Sequence, residues 1–281
     1  MSADLIDTIK GIIRRKQAAG QTTAWLSDAN LAVLGKSPPR STAVDSGNSR
    51  ATEATKAVET AVDSRAAVDS GNSGVVWPAP PDVSSASWEE LVAACRACAC
   101  CGLCQRRHNI VIEDGCRQAA LMFIGEGPGE EEDRQGVPFV GRAGQLLTRM
   151  IAAMGRTRAA DAPPEQAVYI ANIVKCRPPG NRNPEAFEAQ ACIGYLKHQI
   201  ALVKPKAIVL LGGVPLLALM GLTGITRRRG KWLSYEGLPV MPTFHPAYLL
   251  RFERFPEQFV QNKRLVWQDL QAVMAVLKDG N

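Results

Sequence analysis

Apolar positions along the chain fall into three zones. Over residues 3–35 they recur at helical spacing (Leu5, Ile6, Ile9, Ile12, Ile13), which predicts an amphipathic helix, with room for a second after Gly20. Residues 36–86 lose the pattern: they are rich in Ser, Ala, Gly, Pro and Asp and hold no aromatic side chain before Trp77. Within them AVDSGNS occurs at 43–49 and again at 67–73. Such a stretch cannot bury enough apolar surface to offset the entropy of ordering, so a flexible linker is expected. From residue 87 to 281 the pattern becomes compact. Apolar runs LMFIG (121–125), VYIANIVKC (168–176), AIVLLGG (207–213) and LPVMPTFH (238–245) read as buried strands. Helical spacing lies between and after them, at 143–155, 184–203, 214–221 and 257–278.

Strands alternating with helices imply an α/β domain with a central parallel four-stranded sheet and helices on both faces. In such a sheet the ligand site lies beyond the carboxyl ends of the strands. The unusual motifs of this chain all sit at those ends.

Charge and cysteines sharpen the picture. The net charge of +6 is uneven: residues 1–90 hold 9 Lys/Arg against 11 Asp/Glu, and residues 91–281 hold 24 against 16. A basic compact domain suits a polyanion such as nucleic acid, although it also serves ordinary solubility. No apolar run nears the roughly 20 residues of a membrane span, and the N-terminus lacks a secretory pattern, so a cytoplasmic protein is expected. Eight cysteines in a reducing compartment are poor candidates for disulfides, and Cys95, Cys98, Cys100, Cys101 and Cys104 crowd within ten residues. Together with Cys176 and Cys192 they can supply four thiolates to structural zinc or to an iron–sulfur cluster. Three Cys-x-x-Cys pairs compete: 95/98, 98/101 and 101/104.

The first strand runs into GEGPGEEEDRQGVPFVGRAGQLL (125–147). Its glycines let the backbone turn tightly and approach a ligand. Four consecutive acids (Glu130, Glu131, Glu132, Asp133) argue against a phosphate loop, and the G-x-G-x-G spacing with no helix expected directly after it argues against a dinucleotide fingerprint. Glu130 and Glu131 read equally well as a solvated face. Phe139 is either core or a stacking platform for a base. Asn172, at the end of the second strand, is either a structural hydrogen-bonder or a reader of the O4 and N3–H edge of uracil. His245, in FHPAYLLR (244–251), stands where an imidazole donates to an oxygen that gains negative charge. Tyr248, Leu249 and Leu250 suit a wedge into a DNA stack, with Arg251 on a phosphate; alternatively the leucines begin a buried helix.

GEGPGEEED, PFVGRAG, NIVKCRPP, RGKW and FHPAYLLR together resemble the family 4 uracil-DNA glycosylases, which carry a [4Fe–4S] cluster. The resemblance spans about 93–278. It implies excision of uracil from DNA by hydrolysis of the N-glycosidic bond, initiating base-excision repair. Setting Arg107 at that family's arginine after its Cys pair implies Cys98, Cys101, Cys176 and Cys192 as cluster ligands. It further implies a uracil pocket lined by Glu126 and Gly127 and bordered by Glu132 and Asp133. Phe139 would then stack on the base, Asn172 read its edge and His245 contact O2. Glu126 or a backbone carbonyl would position water. One related group captures uracil-DNA covalently through a His in a basic loop; here ITRRRGKWLS (225–234) has the basic residues and no His, which implies turnover.

Two other classes compete: a uracil-DNA-binding module without turnover, and an iron–sulfur electron carrier that would leave the Gly-rich and FHPAYLLR motifs unexplained. A monomer is expected, with residues 3–35 available to a protein partner.

Overall fold

The computed structural model describes residues 68–69 and 76–279. The helix expected over 3–35 and most of the expected linker lie outside the described residues. One sheet organises the rest. Its strands are β1 (Asp114–Gly115), β2 (Leu121–Gly125), β3 (Val168–Asn172), β4 (Ala207–Leu211), β5 (Leu233–Tyr235) and β6 (Leu238–Thr243). They lie in the order β1-β3-β2-β4-β6-β5. The four inner strands are parallel and are the four apolar runs of the sequence. β1 and β5 add to the two edges antiparallel, so the sheet is mixed and six-stranded rather than parallel and four-stranded. The edges escape a hydrophobic reading because they are two and three residues long and only half-buried. β5 turns into β6 through Glu236 and Gly237, both at positive φ (48° and 85°), the backbone of a two-residue hairpin.

β2, β3 and β4 are buried at every position. Successive side chains enter opposite layers. Met122, Ile124, Tyr169, Ala171, Ile208 and Leu210 belong to one core, with helices α1 (Trp88–Ala97), α4 (Ala186–Val203) and α5 (Gly213–Met220). Leu121, Phe123, Val168, Ile170, Val209 and Leu211 belong to the other, with α3 (Arg142–Ala153) and α8 (Pro256–Asp279). Each fully buried aliphatic side chain contributes about 1.5–3 kcal/mol, so this two-sided burial fixes the register as well as the fold.

Three short helices sit around the carboxyl ends of the strands: α2 (Glu130–Gln135), α6 (Ile225–Arg228) and α7 (Pro246–Leu250). α2 begins directly after the Gly-rich turn, where the sequence suggested no helix. Its start is set by Glu132, whose carboxylate accepts the N–H of Gly129 at 3.1 Å and so caps a turn too polar to show a hydrophobic period.

The packed region extends upstream of residue 87. Val83 is buried in the first core, Ala86 O lies 2.6 Å from His198 Nε2, and Cys100 Sγ donates to Ala79 O at 3.7 Å. Ser87 and Glu90 form a reciprocal cap that starts α1. Farther upstream, Val68–Asp69 pairs antiparallel with Val76–Trp77, inside the stretch read as a linker.

Candidate active site and cysteine cavity

The register of the sheet assembles a pocket. Gly125 pairs with Asn172 across β2 and β3, and Leu211 pairs with Thr243 across β4 and β6, so the loops that follow all converge. They enclose about 340 Å³ lined by Glu126, Gly127, Glu132, Phe139, Asn172, His245, Tyr248 and Arg251, among others. A Cβ at Gly125 would lie 2.4 Å from Asn172 Oδ1 and 2.5 Å from the Phe139 ring, so that glycine leaves room for both side chains. A Cβ at Gly127 would meet Val174 at 2.6 Å.

Asn172 is 1% exposed, and its Oδ1 has no hydrogen-bond partner, the only such buried side-chain atom among the described residues. Leaving a buried acceptor unpaired costs about 1–3 kcal/mol. In the same pocket, His245 Nδ1 accepts the N–H of Ala247 at 3.1 Å. The proton of the neutral ring therefore sits on Nε2, as a free donor. Burial, with the nearby Arg251 charge, pulls the His245 pKa down to about 4, so the ring is neutral at physiological pH. Burial also holds the Glu126 carboxyl above the usual carboxylate range, opposed by Arg251.

Phe139 lies 5.5 Å from the His245 ring, at 35° between planes. Its backbone is left-handed (φ 56°), a conformation that costs a non-glycine residue of order 1–3 kcal/mol. The Arg158 guanidinium offsets that cost, donating to Phe139 O (2.7 Å) and Pro138 O (2.6 Å) while pairing with Asp114 (2.7 Å) and Thr148 Oγ1 (2.9 Å).

A second, enclosed cavity lies on the other side of the loop that follows β3. Cys98, Cys100, Cys101, Cys104, Cys176 and Cys192 line it, with Arg107, Lys175 and Glu188. Arg107 donates to Cys176 Sγ at 3.2 Å and to Arg96 O at 3.2 Å. Lys175 is fully buried and donates to Asn172 O (2.9 Å) and Gln199 Oε1 (2.6 Å). Burial pushes the Cys101 thiol up to about 12 and raises Cys176 and Cys192 as well. Among the described residues no group of three or more Cys, His, Asp or Glu is arranged to hold a single metal ion.

The two cavities share one wall. Arg182, in the lining of the pocket, makes a two-pronged ion pair (2.8 and 2.7 Å) with Glu188, in the lining of the cysteine cavity.

Comparison with known proteins decides the family. Residues 112–271, more than half the chain, match the model of the Uracil DNA glycosylase superfamily. The chain is 40% identical over 188 residues to the type-4 uracil-DNA glycosylase of Thermotoga maritima, covering 65% of this chain and 91% of that protein. It is 44% identical over 174 residues to the type-4 enzyme of Sulfurisphaera tokodaii (58% and 76% covered). It is 36% identical over 182 residues to that of Archaeoglobus fulgidus (62% and 88% covered). The chain belongs to the uracil-DNA glycosylase superfamily. The three relatives named are type-4 members.

In this superfamily member most residues singled out from the sequence share the pocket, and three do not. Asp133 is buried behind α2, where it accepts the backbone N–H groups of His108 (3.0 Å) and Asn109 (3.3 Å) and lies 2.8 Å from His108 Nδ1. It ties α2 to the segment after the cysteines and faces no ligand. Leu249 is 1% exposed in the second core, so the buried-helix reading holds for it. Leu250 packs half-buried against the same core. Tyr248 and Arg251 remain at the pocket. Glu132 lines the wall, but its carboxylate is engaged by the N–H groups of Val140 and Gly141, both at 2.9 Å, besides Gly129. Glu130 and Glu131 are exposed and pair with Arg177 and Arg134, as a solvated face does.

Sequence reasoning missed Arg158 and the pocket residues Asn181, Arg182 and Asn183. Their only signal was position: the latter three follow Cys176 in a Pro/Gly loop at a strand end.

Proposed function

We propose that the protein excises uracil from DNA by hydrolysing the N-glycosidic bond, opening base-excision repair, and that it holds a [4Fe–4S] cluster. The observation that carries the reading is the unpartnered Oδ1 of Asn172, buried in a pocket whose other walls are a phenyl ring and a neutral imidazole donor. Uracil completes it. The base N3–H donates to Oδ1 and the carboxamide N–H donates to O4, whereas cytosine presents the reverse pattern and leaves both sides unpaired.

The nucleotide must leave the helix to reach this depth, and Phe139 stacks on the extruded base. As the C1′–N1 bond breaks, its electron pair stays with uracil and charge accumulates on O2. His245 Nε2–H donates to that oxygen without surrendering its proton, the arrangement that stabilises an anion most cheaply in a dry pocket. Water adds to C1′ of the oxocarbenium-like sugar and loses its proton to Glu126, whose raised carboxyl pKa makes it a better base than a solvated carboxylate. Arg251 and Tyr248 meet the DNA at the rim.

Cys98, Cys101, Cys176 and Cys192 would hold the cluster, with Cys104 a rival in the same cavity. The donor set fits: six cysteines face one space, and Arg107 and Lys175 bring positive charge to thiolates. When bound, the cluster supplies a cross-link between the Cys98–Cys101 segment and the loop after Asn172. Cys176 is four residues from Asn172, which lets that cross-link stiffen the pocket.

The test is a uracil-containing oligonucleotide, incubated with protein and then treated with alkali. Strand scission is expected from the wild type, with an Asn172→Asp loss of about a hundredfold in kcat/KM, because an acceptor-only side chain cannot donate to O4. The purified protein should be brown, with about four irons per chain. Stoichiometric zinc without iron after anaerobic purification would overturn the cluster, and full excision by folded Asn172→Asp protein would overturn the pocket assignment. Stable adducts or binding without scission would instead favour the non-catalytic module.

A further inference from the structure

Phe139 is held in a conformation its own side chain does not favour. Its φ of 56° is left-handed, and a Cβ at Gly144 of α3 would fall 1.9 Å from its carbonyl carbon and oxygen. The glycine therefore lets α3 press directly on the Phe139 backbone from one side. On the other side stands one guanidinium. Arg158 bonds the carbonyls of Pro138 and Phe139 through separate nitrogens, and its remaining donors reach Asp114 on β1 and Thr148 on α3. Its side chain is only 16% exposed, so these bonds are shielded from water. No other pair of carbonyls in the Gly-rich to PFVG segment is bonded by an arginine among the described residues.

We infer that Arg158 is a positioning residue for uracil excision: it locks the left-handed turn at Phe139 and so sets the phenyl ring beside both Asn172 and His245. The planar fork is what the task needs. It bonds two consecutive carbonyls at fixed spacing while a carboxylate on the sheet edge and a hydroxyl on α3 fix its own orientation. Lysine supplies one point charge and cannot span both carbonyls. The inference rests on the stacking role proposed for Phe139.

The test is a double-mutant cycle with Phe139→Ala, Arg158→Ala and both together, with Arg158→Lys and Asp114→Asn as milder variants should Arg158→Ala fail to fold. Each is measured for kcat/KM on uracil-DNA, for inhibition by free uracil, for binding to abasic-site DNA and for melting temperature. Arg158→Ala should lower kcat/KM about thirtyfold and Arg158→Lys about tenfold. Both should weaken inhibition by free uracil while leaving abasic-site binding unchanged. In the Phe139→Ala background the arginine change should cost less than about threefold more, since its effect passes through a ring already gone. Multiplicative losses, or parallel losses of uracil and abasic-site binding, would show a general structural role and overturn the inference. So would wild-type uracil inhibition by folded Arg158→Lys. If Phe139→Ala itself excises uracil normally, the stacking role fails first, and the positioning inference falls with it.

Discussion

His245 and Glu126 both line the pocket, and their pKa shifts run in opposite senses. His245 has its pKa pulled down to about 4 by burial, whereas burial raises Glu126 above its usual 4.5. If His245 acts as the neutral donor and Glu126 as the charged base, the acid limb of kcat/KM belongs to Glu126 and lies above 4.5, with no break near 6.5. Glu126→Gln should lower kcat/KM by about 10²-fold or more and abolish that limb. A break near 6.5 persisting in Glu126→Gln would mean that His245 titrates at its ordinary value. Stability follows the same residue with a definite sign. Between pH 6.5 and 4 the unfolded chain binds a proton at this position and the folded chain does not. The His245 contribution is thus intact above about 6.5 and declines as pH falls toward 4, and His245→Gln should flatten that part of the stability profile. At this scale the sequence was informative because chemistry showed through position: Asn172 and His245 stand at strand ends beside Gly and Pro. Asp133 and Leu249 turn away from the pocket because adjacent residues on a helix point about 100° apart, so Glu132 and Tyr248 face it while their neighbours enter the interior, and hydropathy does not register a helix as short as α2 or α7.

The elements behind the pocket are joined by polar ties that span long stretches of sequence. Thr243, the last residue of β6, donates to Asp269 Oδ2 of α8 at 2.6 Å, and Arg229 donates to the same oxygen at 3.0 Å. Arg229 also lies over the Phe244 ring at 5.6 Å. Gly230 is at φ +72°, and a Cβ there would lie 2.7 Å from Asp269 Oδ1. This accounts for the RGKW segment in structural terms: its arginine and glycine dock the loop before β5 onto α8, two residues from His245. Asp269→Ala leaves Arg229 nearly buried without its partner and should cost about 3–5 kcal/mol, whereas Asp269→Leu with Arg229→Met should recover much of that loss. Urea unfolding midpoints with unchanged m-values would measure both; a single-variant cost near zero would remove the tie from the account. None of this was legible in the sequence, because partners forty positions apart leave no periodic trace. The long inner strands and helices were legible for the opposite reason: burial on both faces writes itself as continuous apolar runs, while the two edge strands bury too little to do so.

At the scale of the whole chain, the question is where the folded body begins. Every residue assigned here to uracil, water or the cysteine cavity lies at or after Cys98, and the family match begins at 112. Packing, however, begins earlier. Val83 enters the first core, Ala86 O meets His198, and Ser87 caps α1, the helix that leads into the cysteine segment. Composition alone sets the change at residue 87, because Pro, Ser and Asp look the same whether they tether a domain or wrap one. Two truncations separate the tail from the body. A chain starting at Val76 should keep its metal content, excision rate and melting temperature, losing only what residues 3–35 contribute to a protein partner. A chain starting at Trp88 loses a buried valine and a helix cap, together about 3 kcal/mol. For a body of this size that lowers the melting temperature by about 6–12 °C. The loss falls on α1 and the cysteines beyond it, so metal content should drop before the intrinsic excision rate of intact molecules does. Equal melting temperatures for the two truncations would put the boundary back at residue 87. Loss of metal or activity already in the chain starting at Val76 would show that the first seventy-five residues support the fold rather than merely extend it.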